Sequence, residues 1–156
     1  MKKIFIIIIT CLICTLSYSQ KTKTVTISNS IANGMISISF SEYKYNGGII
    51  KDTIVCWVAQ NSKYRHINDG VVLYNKNYKN FCSFLDEIIK FREEDEDNTS
   101  NYIQGQRISL YSTMGMKGIY IYDENGTGYH SYTPKGLKKI KNKFIQWCEK
   151  NGINLL

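Results

Sequence analysis

Two histidines, His66 and His130, are the side chains of this sequence best suited to moving protons near neutral pH. A working acid or base also needs an orienting carboxylate. The sequence offers Asp69, three residues after His66 in Tyr64-Arg65-His66, and Asp123, ahead of His130. Either pair is the minimum for a small hydrolase, yet neither belongs to a fuller pattern. No serine stands in Gly-x-Ser-x-Gly, and no His-x-x-x-His or paired cysteine spacing marks a metal site. Gly115-Met-Lys-Gly118 and Gly126-Thr-Gly128 fall between expected strands, where a phosphate-cradling loop would need a strand followed by a helix. Asp123-Glu124-Asn125-Gly126 lacks the twelve-residue ligand pattern of a calcium loop. The sequence therefore assigns no catalytic residue, keeps His66 with Asp69 as the alternative, and calls for no metal and no cofactor.

The cysteines sort themselves by position. Met1 to Ser19 reads as a signal peptide: Lys2 and Lys3, an apolar run from Ile4 to Leu16, then Ser17-Tyr18-Ser19 as the cleavage site. Those thirteen residues span about 20 Å as a helix, short of the roughly 30 Å hydrocarbon core, so cleavage is expected in place of stable membrane insertion. The expected location is the periplasm or the medium of a bacterial cell. Cys11 and Cys14 leave with the leader, and Cys56, Cys82 and Cys148 remain. Each lies in an apolar pattern, which predicts buried thiols, with a Cys82 to Cys148 bridge as the alternative.

Residues 20–156 are expected to form a single α+β domain. Loss of Lys2 and Lys3 takes the net charge from +7 to +5, a modest excess. It is also polarised, with an acidic run from Glu93 to Asp97 and a lysine-rich segment over Lys135, Lys138, Lys139, Lys141 and Lys143. Export, modest charge and the acidic run argue against nucleic acid as a partner, even though Lys135, Lys139 and Lys143 stack at i,i+4. Solvated helix faces or ends account for both runs.

Period-2 alternation over Val25 to Phe40, with Asn33-Gly34 between its halves, predicts a hairpin. Glu42 to Gly48 reads as a polar loop. Thr53 to Ala59 is apolar on both faces and reads as a central strand covered from both sides, and Val71 to Tyr74 as another strand. Asn77 can cap a helix with Phe81, Phe84, Leu85, Ile88 and Phe91 on one face and Asp86 paired with Lys90 on the other. Asn98 to Asn101 reads as a loop. Strands follow near Gln104 to Ser112, Lys117 to Asp123 and Gly128 to Thr133. Thr133-Pro134 then opens a helix through Leu137, Ile140, Phe144, Trp147 and Cys148, closed by Gly152. The expected fold is an antiparallel meandering sheet of about six to seven strands with two helices packed on one face, a two-layer sandwich.

Strand parity then divides one hairpin. Ile108, Leu110, Ile119 and Ile121 should face the helices, leaving Arg107, Ser109, Tyr111, Tyr120 and Tyr122 to face away. Tyrosine and arginine suit a surface that binds, giving large contact area at low entropy cost. Arg107, Tyr111, Tyr120 and Tyr122 are thus the candidate binding residues, for a protein or a glycan. The sequence reading is an exported, non-enzymatic binding protein of the inhibitor or immunity kind. A hydrolase built on a histidine and carboxylate, or a small-ligand carrier with an internal cavity, are the alternatives.

Overall fold

The computed structural model describes residues 21–30, 34–45, 48–63 and 69–155. The expected leader and the Tyr64-Arg65-His66 cluster lie outside these residues. Strands β1 (Lys21–Ser30), β2 (Gly34–Tyr45), β3 (Gly48–Gln60) and β4 (Gly70–Asn77) lead through one turn of 3-10 helix into helix α1 (Phe81–Glu94). Strands β5 (Ser100–Ile103), β6 (Gln106–Thr113), β7 (Met116–Tyr122) and β8 (Tyr129–Tyr132) lead into helix α2 (Pro134–Lys150). The fold is α+β, but the expected single sheet of six to seven strands is replaced by two four-stranded antiparallel sheets, each in sequence order.

Three differences from the sequence reading have identifiable causes. Ser100–Ile103 is short and polar, so it carries no alternation of its own. It becomes β5 because Gln104 and Gly105, with φ of 49° and 82°, form the left-handed turn that folds it back on β6. Of the expected loop Glu42 to Gly48, Glu42 to Tyr45 belong to β2 and Gly48 to β3, extending the hairpin. Glu42 pairs with Lys51 and Tyr43 with Ile50, beyond the reach of the core, so neither face needs to be apolar. The meander breaks where β4 and β8 approach each other. There the buried Asn61 side chain accepts from the N–H groups of Tyr129 (3.4 Å) and Lys63 (3.1 Å). Ser62 N–H donates to the Tyr129 carbonyl at 2.7 Å. These bonds tie the residues after β3 to the start of β8, across the gap between the two sheets.

One face of each sheet and one stripe of each helix meet in a single apolar core. Ile36, Ile38, Val55, Trp57 and Leu73 come from the first sheet, and Ile108, Leu110, Ile119 and Ile121 from the second. Phe81, Phe84, Leu85 and Ile88 of α1 and Leu137, Ile140, Phe144 and Cys148 of α2 complete it. β3 is covered from one side only: Val55, Trp57 and Ala59 are buried, while Ile54, Cys56 and Val58 on the opposite face are half-buried. Aromatic rings fill the centre. Phe81 lies 5.9 Å from Trp57, 5.0 Å from Tyr74 and 4.9 Å from Phe144.

The helix ends follow their sequence signals. Thr133 Oγ1 accepts from Gly136 N–H at 3.1 Å with Pro134 in the first turn, and Ile153 N–H returns to the Cys148 carbonyl past Gly152. Asn77 Oδ1 caps the 3-10 turn by accepting from Lys79 N–H, so the α-helix begins at Phe81, four residues after this cap. The expected Asp86–Lys90 pair is not made. Asp86 instead meets Lys141 of α2 at 2.6 Å and Lys90 meets Glu94 at 3.8 Å, because the α1–α2 contact brings a better-placed cation to Asp86. None of the described helices is long and apolar enough to cross a membrane.

Cys56, Cys82 and Cys148 are free thiols. Burial pushes the Cys148 thiol up to about 11, and raises Cys82 and Cys56 as well. At pH 8 the thiolate fraction of Cys148 is then roughly a hundredfold below that of an ordinary exposed cysteine. Iodoacetamide should label Cys148 in the folded protein at least that much more slowly than in urea, read by peptide mass spectrometry. Equal rates in the two states would show an accessible thiol.

Candidate functional site: a tyrosine and arginine face

The second sheet puts Ile108, Leu110, Ile119 and Ile121 against the helices, each 2% exposed or less. The alternate residues face outward in rows fixed by the register. Tyr102, Arg107, Tyr122 and Tyr129 stand side by side across β5, β6, β7 and β8. The next row is Ser100, Ser109, Tyr120 and Ser131, and in the third Tyr111 lies opposite Gly118. Small residues therefore alternate with tyrosines, and the rings lean into the space that the small residues leave.

The result is a continuous chain of ring contacts. Tyr111 and Tyr120 stack with centroids 4.1 Å apart and planes 13° from parallel. Tyr120 meets Tyr129 at 4.7 Å, nearly edge to face, and Tyr129 meets Tyr122 at 5.3 Å. The Arg107 guanidinium carbon lies 4.6 Å from the Tyr122 ring centre, a cation–π contact. Gly118 makes the stack possible: a Cβ there would lie 2.1 Å from Cζ of Tyr111, inside the ring. Any side chain at 118 would displace Tyr111.

All four residues expected from the sequence, Arg107, Tyr111, Tyr120 and Tyr122, fall in this one array. Tyr129 joins them unannounced and links Tyr120 to Tyr122. Its place could have been found by counting back across the Asn125-Gly126 turn, which pairs it with Tyr122. The strand ends add exposed apolar groups at the margins, Tyr102 at 71% and Met116 at 65%. Met114 and Gly115, with φ of 51° and 74°, form the turn that projects beyond them.

The histidine pairs are arranged differently. His66 lies outside the described residues, and Asp69 is exposed, its carbonyl accepting from Asn61 N–H at 2.9 Å. His130 Nδ1 sits 2.6 Å from the Gln60 carbonyl, which can only accept, so Nδ1 carries the proton and donates. Asp123 serves its own turn, accepting from the Thr127 N–H and hydroxyl, each at 2.8 Å, and from Gly128 N–H at 3.2 Å. No group of three metal-ligating side chains occurs among the described residues. At the centre of the molecule, where a carrier would place its ligand, Trp57, Phe81, Phe144 and Tyr132 pack against one another.

No family model, curated protein or solved structure matches the chain. Function must be argued from its own surface.

Proposed function

We propose that this chain is an exported, non-enzymatic binding protein whose second sheet presents the tyrosine and arginine face to a protein partner, as an inhibitor or immunity protein would. The observation that carries the reading is the ring chain itself. Tyr111, Tyr120, Tyr122 and Tyr129 hold one another in place before any partner arrives, so little side-chain entropy remains to be lost on binding. Their mutual stacking also favours a protein over a glycan. A sugar stacks on open ring faces, and here Tyr111 and Tyr120 each cover one face of the other and Arg107 one face of Tyr122. The tyrosine hydroxyls and the guanidinium supply the polar handles of protein interfaces.

The test is affinity capture from a periplasmic extract with wild type, Tyr120→Ala/Tyr122→Ala, and a control changed on the outer face of the first sheet, Thr24→Ala/Ser39→Ala. Each tyrosine acting as an anchor contributes about 2 kcal/mol, roughly thirtyfold in Kd, so the double change should release the partner while the control retains it. Recovery of the same proteins at the same affinity by all three chains would refute the assignment.

A further inference from the structure

Helix α2 carries lysines on two sides, and the two sets have different surroundings. Lys138 and Lys141 reach across to α1, with Nζ 3.0 Å from Glu93 and 2.6 Å from Asp86. Lys135, Lys139 and Lys143 face away from α1 and meet no carboxylate among the described residues. Lys143 donates instead to the Ser28 hydroxyl at 3.2 Å. These three lysines follow one another at four-residue intervals, a rise of about 6 Å each along the helix.

Together with Lys138, whose charge is met by Glu93, they line a cleft of about 720 Å³ between α2 and the ends of β1 and β2. Its inner wall is Ser28, Ile36 and Ile140, all buried, and Asn142 and Gln146 add amides along the rim. β1 is also an edge strand of its sheet, so its outer row of backbone N–H and C=O groups has no ladder among the described residues. The cleft thus combines a row of uncompensated cations, an apolar wall and a neighbouring strand edge open to pairing.

We infer that this cleft binds an extended acidic segment of a partner protein, with Asp or Glu at alternate positions facing Lys135, Lys139 and Lys143. In an extended chain every second side chain projects to the same face, about 6.7 Å apart, close to the repeat of the lysines. The intervening side chains would meet the Ile36 and Ile140 wall, and the peptide backbone is of the right kind to add to the β1 edge. Nucleic acid fits less well, because no aromatic ring lines the cleft for bases to stack on. This surface is separate from the tyrosine face and does not depend on it.

The test is fluorescence anisotropy of a labelled peptide of alternating glutamate and serine, titrated with the protein at low salt. A peptide of the same composition with all its glutamates in one block, a sulfated oligosaccharide and a short oligonucleotide serve as competitors. Lys135→Gln/Lys139→Gln/Lys143→Gln should weaken the alternating peptide at least tenfold, while Lys90→Gln/Lys141→Gln, two ion-paired lysines outside the cleft, changes it less than threefold. Lys139→Arg should bind like wild type, and Tyr120→Ala/Tyr122→Ala should bind the peptide unchanged. Undiminished binding by the triple variant would overturn the proposal. So would equal losses in the two lysine sets, equal affinity for the block peptide, or tighter binding of the oligosaccharide or oligonucleotide. Circular dichroism of the triple variant confirms its fold. If that variant is unfolded, Lys139→Gln alone replaces it, with a threefold loss expected and no loss refuting.

Discussion

Trp57→Ala should lower the stability of this protein by about 3–5 kcal/mol, in the range of the largest single-residue core truncations. Trp57 is fully buried on β3, with its ring 5.9 Å from Phe81 at the start of α1 and 4.9 Å from Tyr132 on β8. Its indole N–H also bonds the buried Tyr132 hydroxyl. One side chain therefore joins the first sheet, the first helix and the second sheet. Alanine would remove the ring, leave a cavity between three elements, and strand a buried phenol without its donor. Urea unfolding followed by far-UV circular dichroism measures the change. A loss below about 1 kcal/mol, the ordinary cost of a point change, would show that the halves are held together elsewhere.

Arg92→Ala should cost about 3 kcal/mol at neutral pH, the lower end for breaking a buried ion pair, since the remaining carboxylate of Asp97 can reach water. Arg92 is 2% exposed at the end of α1, its guanidinium 2.5 Å from Asp97, 3.2 Å from the Ser112 hydroxyl and 3.4 Å from the Asp95 carbonyl. It clamps the turn between α1 and β5 onto β6. The Ser112 hydroxyl, and then the Arg92 guanidinium with help from Lys117, hold the Asp97 carboxyl below its ordinary value. Because the folded value lies below the unfolded one, this contribution is complete above about pH 4 and disappears as pH falls through the folded value. The gap in urea midpoint between wild type and Asp97→Asn should therefore be widest at pH 7 and narrow below pH 4. A gap that stays constant from pH 7 to pH 2.5 would mean that the charge on Asp97 plays no part.

Much of this arrangement can be read from sequence where local rules and the final structure agree. Thr133-Pro134 and the apolar spacing of Leu137, Ile140 and Phe144 define α2 unaided, because the cap and the buried stripe both lie within the segment. Alternation places Arg107, Tyr111, Tyr120 and Tyr122 on one face, because a two-residue period leaves no other choice once Ile119 and Ile121 are buried. What was not legible depends on contacts distant in the chain. Asn61 looks like an ordinary turn residue, yet it ties one sheet to the other by accepting from Tyr129, 68 residues away. Arg92 sits at the head of an acidic run that reads as solvated, and only packing against Ser112 reveals it as buried. The lysines of α2 form a uniform run in sequence, and the carboxylates of α1 are what divide them into two sets.

The strand order has a consequence for how fast this protein acquires its structure. Every ladder joins strands that follow each other directly in the chain, β1 to β4 in one sheet and β5 to β8 in the other. Each pairing closes only a short loop and loses little chain entropy, so the hairpins can zip up in microseconds without waiting for distant partners. An eight-stranded protein would ordinarily be a slow folder because of non-local pairing. Here the long-range contacts are confined to the meeting of the two sheets, where Trp57 finds Tyr132 and Asn61 finds Tyr129. The topology therefore predicts that this docking event, and not sheet formation, sets the folding rate.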